Sequence, residues 1–460
     1  MFGLAALRVM HPGFGLPMDS LSERLKALGV KVGARDLPAP RPRDVYPIQG
    51  VVAGRFEETP YGEVFLVEER YPVTHQHGCG PLSISGSLNP NALLGISGSL
   101  SPSAPLSSSG ALGIIAEWAR DPRLAELAPD AFAFLDTETT GLSGGTGTYA
   151  FLVGAGRYEG ENPRGETFHL VQFFMRDPAE EAALLWALTE FLRPCQALVT
   201  FNGKAFDVPL LNARYISNGE ESPLTSAAHL DLLPLARRLW RDRLPSRSLG
   251  YLEEHILGLT RGQEDVPGWV IPSLYFDYLR SGDARPLKSV FYHNAIDVLS
   301  MAALLSHVAD LFDAALDTEI AARETAVHGV DLVAMGKLFE DLSRIETAVR
   351  LYERGLAGEL PDETHWEAVR RLSFVHKRHG DLLAAVDLWR QAAGGGQVYA
   401  HVELAKYYEH RMRDYGEAAG WTQAAVALIE ASSFPRHARR RWLAELEHRL
   451  ARLRRKMGMV

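Results

Sequence analysis

At 460 residues, 46% hydrophobic and 23% charged, the chain has the composition of a soluble globular protein of two or three domains. Its net charge of −9 argues against coating nucleic acid by bulk electrostatics, though not against gripping phosphate through bound metal and a local basic patch. Two cysteines, Cys79 and Cys195, exclude a disulfide framework and a four-cysteine zinc site.

Residues 1–115 read as an N-terminal region. MFGLAALRVMHPGFGLPM lacks the basic start, long apolar centre and cleavage site of a secretory leader. No apolar run is expected to approach the roughly 18 residues that span a bilayer, so no membrane contact and a cytoplasmic address are expected. VYPIQGVVAG and GEVFLVEERY are strand-like, and His75, His77 and Cys79 follow without a fourth soft ligand nearby, which favours a packed loop over a metal site. Between His77 and Glu117 there is no charged residue, and ISGSL occurs at Ile84–Leu88 and again at Ile96–Leu100. Such low complexity suggests an irregular connection, with a clamp over substrate as the functional alternative.

Residues 116–315 read as an α/β domain. AFAFLDTETTG and TYAFLVGAGRYEG are two strands around a glycine-rich hairpin, and ETFHLVQFFM is a third strand. Ala179–Leu192 has helical spacing, and QALVTFNGKAFDVPLL is a buried strand running through a loop into a helix. Leu232–Trp240, Leu249–Leu257 and Leu287–Leu305 are helical stretches. A meander, a helix, a further strand and flanking helices predict a ribonuclease H-like mixed sheet covered by helices.

Residues 325–460 read as an all-α, tetratricopeptide-like repeat domain. Ala348 and Tyr352 correspond to Ala385 and Trp389, then to Ala418 with Trp421 or Thr422, at spacings of 37 and 33 residues. Gly336, Ser373 and Ala405 take the small-residue position of each first helix, followed by Phe339, His376 and Tyr408. The closing helix, Arg436 to Lys456, carries nine Lys or Arg against two Glu. That excess suits either a nucleic-acid contact or a solvated cap.

The chemical signal begins at Asp136-Thr137-Glu138, at the end of an apolar strand. Alternate strand residues share a face, so both carboxylates project together and repel unless a cation neutralises them. A hard divalent ion such as Mg²⁺ or Mn²⁺ suits an all-oxygen set. Asp207 in FNGKAFDVPLL and Asp297 in FYHNAIDVLSMAALL add two more acids beside buried elements, with His293 one turn before Asp297.

These motifs, D-x-E-T-T-G-L, N-G-x-x-F-D and H-x-x-x-D, resemble those of the DEDD exonucleases. GLSGGTGTYAFLVG, HLDLLPLARRLW, RSLGYLEEHILGL, GWVIPSLYFDYL and HNAIDVLSMAALL are similar, more specifically, to the YprB-type ribonuclease H-like family, also called mitomycin repair factor B, over about residues 132–305. The resemblance implies a 3′→5′ exonuclease with two divalent metal ions, Asp136 bridging them, Glu138 and Asp297 completing one site and Asp207 supporting the other. It implies His293 as general base, Thr139, Gly141 and Leu142 lining the pocket for a terminal nucleotide, and Asn202 steadying its backbone. It also points to DNA repair, alongside a helicase. In the histidine subgroup the base lies five residues before the last Asp, which here is Tyr292; His293 lies four before, the tyrosine-subgroup position.

Gly141-Leu142-Ser143-Gly144-Gly145 matches the serine-hydrolase elbow G-x-S-x-G, but the strand-like TGTYAFLVG after it argues for a hairpin. Asp231 is expected to be structural, with a metal-linked role as its alternative. Arg237, Arg238, Arg241, Arg243 and Arg247 suit phosphate contacts or a solvated face equally. Rivals to the DNA exonuclease are an RNA-directed or structure-specific nuclease of the same fold, and a non-catalytic scaffold working through the repeats.

Overall fold

The computed structural model describes residues 46–78, 80–82, 110–141, 147–160, 166–316, 327–431 and 436–459. The expectations for the ISGSL repeats, Cys79, Leu142 and the glycine-rich loop 142–146 lie outside these residues.

Strands β1 (Arg55–Thr59) and β2 (Gly62–Pro72) come first, then a small hairpin of β3 (Gln76–His77) and β4 (Gly80–Pro81). Strands β5 (Phe132–Thr139), β6 (Ala150–Glu159) and β7 (Thr167–Phe174) form the antiparallel meander, followed by β8 (Ala197–Thr200) and β9 (Ala228–Asp231). Among the described residues, seven of them make one sheet in the order β1-β2-β7-β6-β5-β8-β9. Strand β8 runs parallel to β5 and β9 parallel to β8, so the sheet is mixed.

Both faces of the central strands are buried, which explains their near-continuous apolar runs. Phe132 and Phe134 of β5 enter one core, and Ala133 and Leu135 enter the other. The sheet also begins earlier than residue 116. Val64 to Val67 of β2 are buried, and β2 pairs with β7 from Phe65 opposite Phe174 to Pro72 opposite Thr167.

The flanking helices are α1 (Ala111–Ala119), α2 (Glu181–Leu192), α3 (Asp207–Ser217), α4 (Leu232–Trp240), α5 (Leu249–His255), α6 (Ile271–Ser281) and α7 (Leu287–Leu316). Helix α7 runs eleven residues beyond the expected Leu305, because Val308, Ala309 and Phe312 continue its buried spacing. This corrects the expectation about apolar runs, since α7 is long and apolar enough to cross a membrane by composition. Its most apolar window is 78% buried, as befits a helix covered on both sides.

His77 packs beneath α7, with Nε2 2.8 Å from Ser300 Oγ, and burial pushes its imidazole pKa down to about 4. His75 instead lies against the Tyr71 ring. His77 thus belongs to the β3–β4 hairpin packed under α7.

The helical region comprises α8 (Gly329–Asp341), α9 (Ile345–Leu356), α10 (Asp362–Arg378), α11 (Leu382–Gly394), α12 (Val398–Tyr407), α13 (Tyr415–Ala431) and α14 (Arg436–Lys456). A Cβ at Gly336 would come within 2.8 Å of the Tyr352 ring, which explains the small residue there. Ala348, Tyr352, Ala385, Trp389, Ala418 and Thr422 are all buried. At the third position Thr422, not the half-exposed Trp421, therefore faces the interior.

Helices α8 and α9 share one apolar core with α7, and Phe312 meets Phe339 edge-on at 5.9 Å. Ion pairs ring this contact: Arg238 with Asp341, Arg243 with Asp331 at 3.2 Å, and Lys337 with Asp242 at 2.9 Å. Two arginines that suited phosphate contacts thus hold the helical region in place.

The basic closing helix is similarly engaged. Glu409, in a π-helical turn (Tyr408–Met412), has a fully buried side chain that accepts from Arg449 at 2.7 Å, Arg452 at 2.8 and 2.9 Å, and Lys456 at 2.9 Å.

Candidate functional site

Asp136 and Glu138 occupy alternate positions of β5, so their side chains leave the same face of the sheet. That face is the one α7 covers, and α7 carries His293 and Asp297 one turn apart. Asp207 arrives from a third direction, in the first turn of α3, where the helix N-terminus favours a negative charge. Helix α3 is anchored through Arg214, whose Nε and Nη2 grip Glu181 on α2 at 2.6 Å each.

The turn from β8 into α3 is held by Asp231 at the end of β9. Its carboxylate accepts from the backbone N–H of Asn202 at 2.7 Å and of Lys204 at 3.2 Å, and caps α4 through Leu233 at 3.1 Å. This pins Asn202 in the left-handed region at φ 70°, a conformation asparagine tolerates better than most residues. Asp231 is thus a structural acid that sets the position of Asp207.

Three of the four carboxylates are turned onto protein donors. Asn294 Nδ2 donates to Asp136 Oδ2 at 2.9 Å, the Thr137 hydroxyl donates to Asp207, and Arg261 donates to Asp297. Among the described residues, no three His, Cys, Asp or Glu side chains stand as a ready metal cage. The four acids nevertheless act on one another. Burial raises the pKa of Asp136, and repulsion from Asp297 and Asp207 raises it further. Glu138 is raised by burial and then by Asp136, Asp297 and Asp207. Burial lifts Asp207 to about 6 against the Thr137 hydrogen bond, and lifts Asp297 despite Arg261. The site holds more negative charge than Arg261 offsets, and its donors are hard oxygens. Both properties fit Mg²⁺ or Mn²⁺.

A cavity of about 360 Å³ opens beside these acids, lined by Glu138, Thr139, Gly141, Asn202, Phe206 and Asp207, among others. Three of the four residues expected to receive a nucleotide therefore share one pocket, and the fourth, Leu142, lies outside the described residues. The strand that follows the glycine-rich loop, β6, leaves no helix for a serine-hydrolase elbow.

Several site residues escaped the sequence analysis. Arg261 is bidentate on the fully buried Glu253, with both contacts at 2.6 Å, and also meets His293 and Asp297. Tyr292, the other residue at base spacing, has its hydroxyl 3.1 Å from the Gly262 N–H, which holds the loop that bears Arg261. Asn294 is aimed at Asp136 by Gln172, which donates to its Oδ1 at 2.9 Å. Only the H-N-x-x-D wording hinted at Asn294. The loop residues stand in no periodic pattern.

Gly154 lies opposite Asp136 in the β5–β6 register, and a Cβ there would fall 2.3 Å from Asn294 Oδ1. Gly154→Ala should cost about 1–3 kcal/mol through overpacking. It should also displace the Asn294 amide that donates to Asp136. Urea midpoints test this; a wild-type midpoint would contradict the clash.

Comparison with known proteins agrees with this architecture. A family model described as RNase_H superfamily matches residues 133–309, a span that includes all four acids and His293. The uncharacterized protein YprB of Bacillus subtilis (strain 168) is 33% identical over 329 residues, covering 70% of this chain and 74% of the relative. Among solved structures, the family B DNA polymerase of the hyperthermophilic archaeon Pyrobaculum calidifontis matches 45% of this chain and 28% of its own, at 17% identity and a TM-score of 0.26. That likeness is too remote to bear on the chemistry.

Proposed function

The chain belongs to the YprB-type family of ribonuclease H-like proteins, and from that premise we propose that it is a divalent-metal-dependent 3′→5′ exonuclease acting on DNA, with repair as its setting. The observation that carries the proposal is the convergence of Asp136, Glu138, Asp207 and Asp297, from three remote chain segments, on one site where burial raises the pKa of all four and repulsion from the others adds to it at Asp136, Glu138 and Asp207.

These four carboxylates would hold two cations, Mg²⁺ or Mn²⁺. When bound, such a pair supplies a stronger nucleophile from water and compensates charge on the phosphate and the leaving oxygen. The chain's own groups do the rest. Thr139, Gly141 and Asn202 line the pocket that would receive the terminal nucleotide. His293 takes up the proton of the attacking water at Nε2, the ring nitrogen 3.7 Å from Asp297 Oδ2. Before metal binds, the acidic site repels a phosphodiester, so substrate and cation should bind cooperatively. The helical region, read as tetratricopeptide-like, would offer a surface to a helicase that exposes single strands.

A digestion panel tests this with 3′-labelled and 5′-labelled DNA and RNA, with Mn²⁺, Mg²⁺ or EDTA. The expected result is stepwise loss from DNA 3′ ends, abolished by EDTA. Equal or faster loss from RNA would move the substrate class, and internal cuts on end-blocked DNA would indicate a structure-specific nuclease. No metal-dependent product on any substrate would leave the scaffold as the function.

A further inference from the structure

A histidine serves as a base at one ring nitrogen only if its other nitrogen carries the proton. Two groups contend for Nδ1 of His293. Asp265 Oδ1 lies 2.7 Å away and Arg261 Nη1 lies 3.1 Å away. A neutral imidazole nitrogen either donates or accepts, so it cannot serve both.

The geometry favours the carboxylate. Its hydrogen bond is the shorter of the two, at 2.7 Å against 3.1 Å. Arg261 does not depend on His293, because Glu253 takes its Nε and Nη2, Asp297 shares Nη2, and Nη1 lies 3.5 Å from Asp265 Oδ1 itself. Accepting from Arg261 would instead place the imidazole proton on Nε2, facing Asp297, and leave no basic nitrogen towards the site.

We propose that Asp265 is a positioning residue that accepts the Nδ1–H of His293 and so keeps Nε2 unprotonated and turned towards the four carboxylates. At 3.7 Å from Asp297 Oδ2, Nε2 is too far for a hydrogen bond and stays unspent. The loop also leaves Nε2 approachable, since the residue packed over it is Gly268, where even a Cβ would stand 3.9 Å away. The backbone holds Asp265 in place, with its N–H 3.2 Å from the Gly262 carbonyl, while Tyr292 fixes Gly262. The residue that rivals His293 for the role of base by spacing thus supports the loop that orients it.

This inference rests on the nuclease reading for its catalytic meaning, but the tautomer can be measured without activity. In the metal-free full-length chain labelled with ¹⁵N-histidine, the ring signals of His293 are identified by their loss in His293→Gln. The expected pattern is Nδ1–H in the wild type, shifting to a mixture or to Nε2–H in the isosteric Asp265→Asn. A wild-type His293 protonated at Nε2 overturns the proposal. In the Mn²⁺-loaded enzyme, Asp265→Asn should lower kcat about 10–100-fold, the usual range for a group that orients a ligand or base. KM and Mn²⁺ affinity should hold, and no further loss should appear on the His293→Gln background. A matching rise in KM, or full additivity with His293→Gln, refutes it. If the wild type keeps the Nδ1–H tautomer yet cleaves nothing, the nuclease reading fails and the Asp265–His293 bond stands.

Discussion

Asp136→Asn should abolish metal-dependent cleavage and yet raise the thermal midpoint of the metal-free chain. Asp136 is repelled by Asp297 and Asp207 and hydrogen-bonded by Asn294. Removing one ligand from a paired-cation site forfeits several kcal/mol of transition-state stabilisation, a loss on the order of 10³-fold or more. Without cations the same carboxylate is a liability, because its charge is buried beside like charges. Neutralising it should return about 1 kcal/mol, roughly 2–4 °C in midpoint for a unit of this size. The pH dependence has a definite sign. Burial raises Asp207 from an ordinary 3.8 to about 6, so the metal-free fold gains stability as pH falls from about 6 towards 4. Midpoints in EDTA across that range, beside initial rates in Mn²⁺, check both halves. A variant that retains wild-type cleavage, or that melts well below the wild type in EDTA, would remove Asp136 from its assigned role.

Glu409→Ala should release the closing helix α14 at a cost of about 3 kcal/mol, the lower end for breaking a buried ion pair, because Arg452 and Lys456 remain partly solvated. Three cations would be left facing one another without an anion. Burial alone would raise the Glu409 pKa, but hydrogen bonds from Arg452 and Lys456 outweigh it and bring it down from 4.5 to about 2. Its contribution is therefore complete above pH 4.5 and disappears as pH falls towards 2, opposite in direction to the carboxylate site. Amide hydrogen exchange and trypsin cleavage across residues 436–456 would report the release, with Glu409→Gln as the isosteric control. Unchanged protection in Glu409→Ala would show that apolar contacts alone hold the helix.

How much of this was legible in the sequence depends on whether the deciding contact is local. Asp136 and Glu138 could be placed because a strand repeats every two residues and acids on a buried strand are conspicuous. Asp207 and Asp297 could be placed from motif wording and from a helix that keeps its register. Asp265, Arg261 and Glu253 could not, since loop geometry brings them together and no periodicity marks them. The membership of β2 in the sheet was hidden for the same reason. Its partner β7 lies about a hundred residues away, and a strand does not announce which neighbour it will join. The basic helix was visible as a run of charge, but its anion, Glu409, lies forty residues upstream of Arg449 in an irregular turn.

Helix α7 links two regions that the sequence had divided at about residue 320. One side presents Asn294, His293 and Asp297 to β5, while Phe312 and its apolar neighbours serve as a seat for α8 and α9. A partner pulling on the helical region would thus load the rod that carries His293 and Asp297, through the apolar seat where Phe312 meets Phe339. Severing the chain between these regions would strip a greasy flank from α7, and the isolated front piece should clump in solution.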